Sequence, residues 1–168
     1  MSDPRIDTAL PRGQAVYTPV VRVHFDGACQ PPQGGIATYG FTIEGEGLDA
    51  EDCGLAVRPG SERATNNVAE YVAATRALEH LAAAGFRGSV AVLGDSELVI
   101  RQMNGEYEVK APHLQPYHER LTQVAREFAQ VQFTWVPREE NTRADELSKR
   151  ALYEARRDLD GGAVRGRR

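Results

Sequence analysis

The first three apolar runs of the chain are joined by linkers too short for a crossover. Val21, Val23 and Phe25 alternate with Arg22 and His24, the period of two expected of a strand, here over Tyr17–Asp26. Ile36–Gly45 ("IATYGFTIEG") and Glu51–Val57 ("EDCGLAV") are two further strand candidates. A Pro/Gly turn, "QPPQGG" (Gln30–Gly35), separates the first pair, and five residues separate the second. A parallel connection needs about a dozen residues or more, so these three strands are expected to form an antiparallel meander.

The pattern then changes. "NNVAEYVAATRALEHLAAAG" (Asn66–Gly85) is rich in alanine, sets Val68, Tyr71, Leu78 and Leu81 on one side and closes on a glycine, which predicts a long helix. "SVAVLGD" (Ser89–Asp95) predicts a buried strand and "SELVIRQMNG" (Ser96–Gly105) a short helix. Leu114, Leu121, Val124, Ala125 and Phe128 have helical spacing. "VQFTWV" (Val131–Val136) predicts a last strand with Trp135 in the core, and "RADELSKRALYEA" (Arg143–Ala155) a last helix. Strand–helix–strand units imply right-handed parallel crossovers. The expected fold is therefore α/β: a five-stranded mixed sheet, three antiparallel strands and then parallel strands, flanked by helices. Sites in such sheets form at the carboxyl ends of strands, where the strand order reverses.

At 168 residues the chain suits one domain with its own core. The expected division is a flexible arm over 1–16, a folded unit over 17–155 and a basic, disordered tail over 156–168. No run approaches the roughly 18 apolar residues of a membrane span. "MSDPRIDTAL" lacks the basic region and apolar core of a secretory leader. Cys29 and Cys53 make neither a CxxC pair nor a zinc pattern, as expected of free thiols in a cytoplasmic protein. The net charge is −4, but five arginines against two aspartates make residues 156–168 +3 and leave about −7 on the rest. A body this acidic meets a polyanion only through metal ions or a local basic face.

The acids are placed to supply such a metal site. Asp26 and Asp95 each close a strand run, and Glu70 and Asp145 each fall in the first turn of a predicted helix. The topology can gather all four at one sheet edge. Four ionised carboxylates in one place need a cation, and oxygen-only ligands select Mg²⁺ or Mn²⁺ over zinc. Each acid also has a structural reading. Asn67 to Glu70 and Thr142 to Asp145 have capping-box spacing. Asp95 precedes a helix and can cap it, and Asp26-Gly27 is a common turn pair. Spacing alone leaves both readings open.

Four blocks, "FDGAC", "TNNVAEY", "GDSELVIRQM" and "NTRADELS", occur in an order and at separations that resemble the signature blocks of the type 1 ribonuclease H family, over about Val20–Leu152. The resemblance implies a ribonuclease H-like fold and an endoribonuclease that hydrolyses the RNA strand of RNA–DNA hybrids. It implies two Mg²⁺ ions, with Mn²⁺ able to substitute, and 5′-phosphate and 3′-hydroxyl products. Matched block by block, the catalytic, metal-binding carboxylates fall on Asp26, Glu70, Asp95 and Asp145. Asp26 would bridge the ions, Asp145 would hold the one that activates water, and Glu70 and Asp95 the other. Substrate contacts fall on Gly27, Cys29, Asn66 and Asn67, with Ser96 and Thr65 as weaker matches. Asn66 and Asn67 equally suit helix capping. Gly27, without a side chain, would leave room for a nucleic-acid backbone.

The chain departs from the family pattern in three places. Pro31 and Pro32 offer no side-chain donor. No histidine lies between Val136 and Asp145, where Arg138 and Arg143 are instead phosphate candidates. The connector "NGEYEVKAPHLQPYHE" is short and holds one lysine, Lys110, so no basic protrusion is expected. His24 reads as a surface or packing residue. The expected partner is an RNA–DNA hybrid, bound weakly by a monomer with no membrane association. Two other readings stand beside this one: a nuclease of the same fold acting on double-stranded RNA or junctions, and a non-catalytic hybrid-binding module.

Overall fold

A computed structural model describes residues 20–165. The expected arm over 1–16, the start of the first predicted strand and the last three residues of the tail lie outside the described residues. The chain runs β1 (Val20–Gln30), β2 (Ile36–Glu44), β3 (Ala50–Leu55), α1 (Asn66–Ala83), β4 (Ser89–Gly94), α2 (Glu97–Met103), α3 (Gln115–Ala125), β5 (Gln130–Trp135), a 3₁₀ turn (Arg138–Glu140) and α4 (Thr142–Arg165). The five strands form one sheet in the order β3-β2-β1-β4-β5. Pairing is antiparallel from β3 to β1 and parallel from β1 to β5, as the linker lengths require. No helix among the described residues is long and apolar enough to cross a membrane.

The order reverses beside β1, whose neighbours are β2 and β4. The β1–β4 pairing ends at Phe25 opposite Gly94. Asp26 and Asp95 are the next residues, so both carboxylates stand at the same edge of the switch point. β1 does not stop there. It runs on to Gln30 along β2, with Asp26 opposite Gly40. The expected Asp-Gly turn is therefore continuous strand.

Alternation sorts the sheet into two faces. Val21, Val23 and Phe25 of β1 join Tyr39, Phe41 and Ile43 of β2 and Val90 and Val92 of β4 in the main core. Val68, Tyr71, Leu78 and Leu81 of α1 and Leu121 and Val124 of α3 cover this face. On the other face α4 crosses β2, β1 and β3 and buries Ala144, Leu147, Ala151 and Leu152.

Two glycines set how closely the helices approach. A Cβ on Gly27 would lie 2.3 Å from the Glu70 nitrogen, and one on Gly40 2.6 Å from the Ser148 nitrogen. The helices thus rest on the strands through backbone, α1 on β1 and α4 on β2. The space at Gly27, expected to admit nucleic acid, is filled by α1.

Two further expectations are corrected. The last helix continues past Ala155 to Arg165, so residues 156–165 are helix where a disordered tail was expected. Arg156, Arg157 and Leu159 are good helix formers, and an already-packed helix propagates through them at little cost. Trp135 is 51% exposed instead of core. It is the last residue of β5, and β5 is an edge strand that leaves its end uncovered.

Gly27→Ala and Gly40→Ala should each destabilise the fold by about 1–3 kcal/mol or more, since the clash is with backbone that cannot rotate away. Urea midpoints of the two variants against the wild type measure this.

Candidate metal centre

Asp26 lies on the α4 side of β1 and is buried. Ser148 Oγ sits 2.7 Å from Asp26 Oδ2 and 2.9 Å from the Asp145 carbonyl oxygen. Its single proton serves one of them at a time. Glu70 enters from α1, where the Gly27 backbone N–H donates to its carboxylate. The start of α1 is latched to β1, because Asn66 Oδ1 accepts the Cys29 N–H at 3.0 Å. Asp95 stands past the end of β4. Its Oδ1 accepts Asn141 Nδ2 at 3.1 Å, and Arg138 Nε lies 3.7 Å from its Oδ2. Oxygens of Asp26, Glu70 and Asp95 all lie within 4.8 Å of one another.

This crowding is expensive for anions. Burial pushes the Asp26 carboxyl up to about 6; the Ser148 hydrogen bond opposes the shift and the charges of Asp95 and Asp145 add to it. Burial, and then the charges of Asp26 and Asp95, push Glu70 well above the usual carboxylate range. Glu70 Oε2 is buried and has no hydrogen-bond partner. Three convergent carboxylates with one orphaned oxygen fit a hard divalent cation, which would satisfy that oxygen and offset the repulsion.

Asp145 lies in the first turn of α4. Its charge reaches Asp26, but its Oδ2 accepts from Lys149 Nζ at 2.8 Å. The structure thus draws three of the four predicted acids together and sets the fourth beside them with its own cation.

The structural alternatives for these acids do not survive the observed boundaries. Thr65 caps α1 by accepting the Val68 N–H, which leaves Glu70 beyond a capping-box position. Ser96, not Asp95, caps α2 by accepting the Val99 N–H. α4 begins at Thr142, so Thr142 is inside the helix and pairs with no capping Asp145.

The expected substrate residues have mixed surroundings. Thr65 and Ser96 are helix caps. Cys29 is buried, its N–H taken by Asn66 and its Sγ–H donating to the Pro31 carbonyl. Asn67 is half-buried, and Asn66 and Arg138 are exposed. His24 points away from the Phe25 side and is half-buried. Burial lowers its pKa, and Arg22 lowers it further, while Glu44 and Glu140 raise it.

Sequence reasoning missed Asn141 and Ser148, although both stand in "NTRADELS". Asn141 is buried; its Nδ2 donates to the Phe25 carbonyl at 2.9 Å as well as to Asp95. One amide thus ties β1, at the point where its pairing with β4 ends, to the acid just past β4. The available signal was a polar residue just before α4 and another at an inward position within it, which read equally well as a cap and a surface serine.

Known proteins share this fold. Residues 24–151 match a family model described as reverse transcriptase-like. The crystal structure of RNase H1 from the archaeon Halobacterium salinarum superposes with a TM-score of 0.72 at 35% identity, covering 80% of this chain and 98% of that one. The chain belongs to the type 1 ribonuclease H family. The N-terminal RNase H domain of a bifunctional protein from Mycobacterium tuberculosis gives a TM-score of 0.72 at 30% identity, covering 84% of this chain and 99% of that one. LC11-RNase H1, solved in complex with an RNA/DNA hybrid, gives 0.71 at 35% identity, covering 80% and 98%. Among curated sequences, the chain spans 65% of the Halobacterium ribonuclease HI, at 36% identity, and 24% of the mycobacterial bifunctional protein, at 41% over 90 residues.

Two measurements test the site. With its carboxyl held up from 3.8 to about 6, Asp26 favours folding most below about pH 4, and that advantage is lost as pH rises through 6. In chelator, Asp26→Asn should therefore gain about 1–2 kcal/mol on the wild type between pH 5 and pH 7.5, read from urea midpoints. Asn141→Ala strands the Phe25 carbonyl and frees Asp95. It should cost about 1–3 kcal/mol of stability and weaken divalent-metal affinity about 10–100-fold by calorimetry.

Proposed function

We propose that this protein is a Mg²⁺-dependent endoribonuclease that cleaves the RNA strand of RNA–DNA hybrids and leaves 5′-phosphate and 3′-hydroxyl ends. The observation that carries this reading is the meeting of Asp26, Glu70 and Asp95 around a buried, unpartnered carboxylate oxygen at the switch point. Family membership and a relative solved with an RNA/DNA hybrid support the substrate.

Asp26, Glu70 and Asp95 would hold the metal, and Asp145, once turned from Lys149, completes a four-carboxylate set with oxygens enough for two hard dications. Bound there, such ions supply an activated water, a stabilised leaving oxygen and neutralised phosphate charge. The chain's own groups prepare the site. Ser148 fixes one oxygen of Asp26, Asn141 aims Asp95, the Gly27 N–H steadies Glu70, and Lys149 balances Asp145. Asn66 and Asn67, at the start of α1, are the candidates to read RNA 2′-hydroxyls across the minor groove. Arg138, which already faces Asp95 across 3.7 Å, is the candidate for the phosphate.

A labelled hybrid, double-stranded RNA and a duplex with one ribonucleotide, each with Mg²⁺, test the proposal. Hybrid cleavage is expected in the RNA strand only. Asp26→Asn or Asp145→Asn should lower it at least about 10³-fold with circular dichroism unchanged. Near-full activity in either variant would overturn the assignment. Preferential cleavage of double-stranded RNA would favour the same-fold alternative, and hybrid binding without turnover the non-catalytic one.

A further inference from the structure

We propose that the exposed face of α4 formed by Lys149, Tyr153, Arg156 and Arg157 is a second nucleic-acid contact, which grips the phosphate backbone of the hybrid beyond the scissile site. This rests on the hybrid-cleaving reading and extends it to residues outside the acidic cluster.

Spacing puts these four side chains on one side of the helix. They follow Asp145 at steps of four, eight, eleven and twelve residues, so they form a line leading away from the metal centre. From Asp145 to Arg157 the line is about 18 Å long. Along a duplex, that is about five base steps at 3.4 Å each. Lys149 already touches Asp145 and marks the inner end. Asp160 lies on the same side about one turn beyond Arg156 and marks the outer end.

The line is built for a polyanion. Tyr153 is 64% exposed, and the Arg157 guanidinium lies 5.9 Å over its ring. An exposed aromatic topped by a cation is the pairing that nucleic-acid surfaces use for bases and phosphates. Arg156 donates to Gln30 Oε1 at 2.8 Å. That bond leans α4 on the last residue of β1, one residue past the Cys29–Asn66 latch. The two bonds thereby join α4, the end of β1 and the start of α1.

Several arginines elsewhere on the surface are neutralised by acids. Arg101 is paired with Glu97 and Glu106, Arg120 with Glu79, Arg143 with Glu51 and Glu146, and Arg150 with Glu154. Among the described residues, the contacts of Arg156 and Arg157 are with an amide and a ring, not with a carboxylate. The remainder of the chain is acidic, so a hybrid approaching the carboxylates needs a positive face nearby. α4 supplies one as a rigid helix, not as a loose tail.

The test uses the full chain with Arg156→Gln and Arg157→Gln, singly and together, and Arg126→Gln as a remote control matched in charge to each single variant, at the end of α3, by the start of β5 and so at the opposite sheet edge. KM and kcat for a long RNA–DNA hybrid are measured at several salt concentrations. The double variant should raise KM about fivefold or more at low salt, with kcat within twofold. It should also lower the slope of log KM against log salt by about 1–2, one unit for each phosphate that is no longer neutralised. Arg126→Gln should change neither. A hybrid too short to reach past the cleaved bond along α4 should give one KM for wild type and double variant. Unchanged KM and slope on the long hybrid, with the wild type cleaving it, would overturn the surface while leaving the activity intact. Equal losses on short and long hybrids would also overturn it, by placing the effect in the fold. A wild type that cuts no hybrid would overturn the functional reading, and this surface with it.

Discussion

Two helices touch the sheet with no side chain in between, α1 at Gly27 and α4 at Gly40. Glu70 is in the segment that meets Gly27, and Ser148 in the segment that meets Gly40. Asp26 stands between the two contacts, next to Gly27 in sequence and opposite Gly40 in the sheet. The distances among the acidic groups are therefore fixed by backbone packing, which gives far less than a layer of side chains would. A site that must hold like charges close needs such a frame, because the charges themselves push it apart.

The polar groups around the acids spread that repulsion. Ser148 donates to a carboxylate from the α4 face, the Gly27 N–H from the strand itself, and Asn141 across the strand ends. None of the three carries a charge, so none competes with a cation for the same oxygens by replacing it. Lys149 is different: it pairs with Asp145 by charge, and under the proposed function a dication there would have to displace it. The two kinds of support would suit two jobs under that proposal, fixed geometry for Asp26, Glu70 and Asp95 and exchange at Asp145.

Much of this was legible from the chain alone. The short linkers dictated the meander, and the strand–helix alternation dictated the parallel half. Asp26 and Asp95 could be placed at one edge because each follows a strand run. The capping readings of Glu70, Asp95 and Asp145 could not be dismissed, since they turn on helix boundaries that a pattern locates only to within a residue or two. Asn141 and Ser148 escaped because their burial comes from α4 lying on the sheet, which no local pattern records. Trp135 was misplaced because apolar alternation does not say which strand is the edge. The helical 156–165 segment was hidden by its charge, which describes a solvated face as well as a disordered tail.

Trp135 is the sole tryptophan of the chain. Its indole N–H donates at 3.3 Å to the carbonyl of Asp95, and its ring is half open to water. The protein therefore carries one intrinsic indole fluorophore, wired by a single bond to a residue of the acidic cluster. Its emission colour and yield depend on that bond and on the water around the ring, so events at the cluster become visible in the native chain without a label.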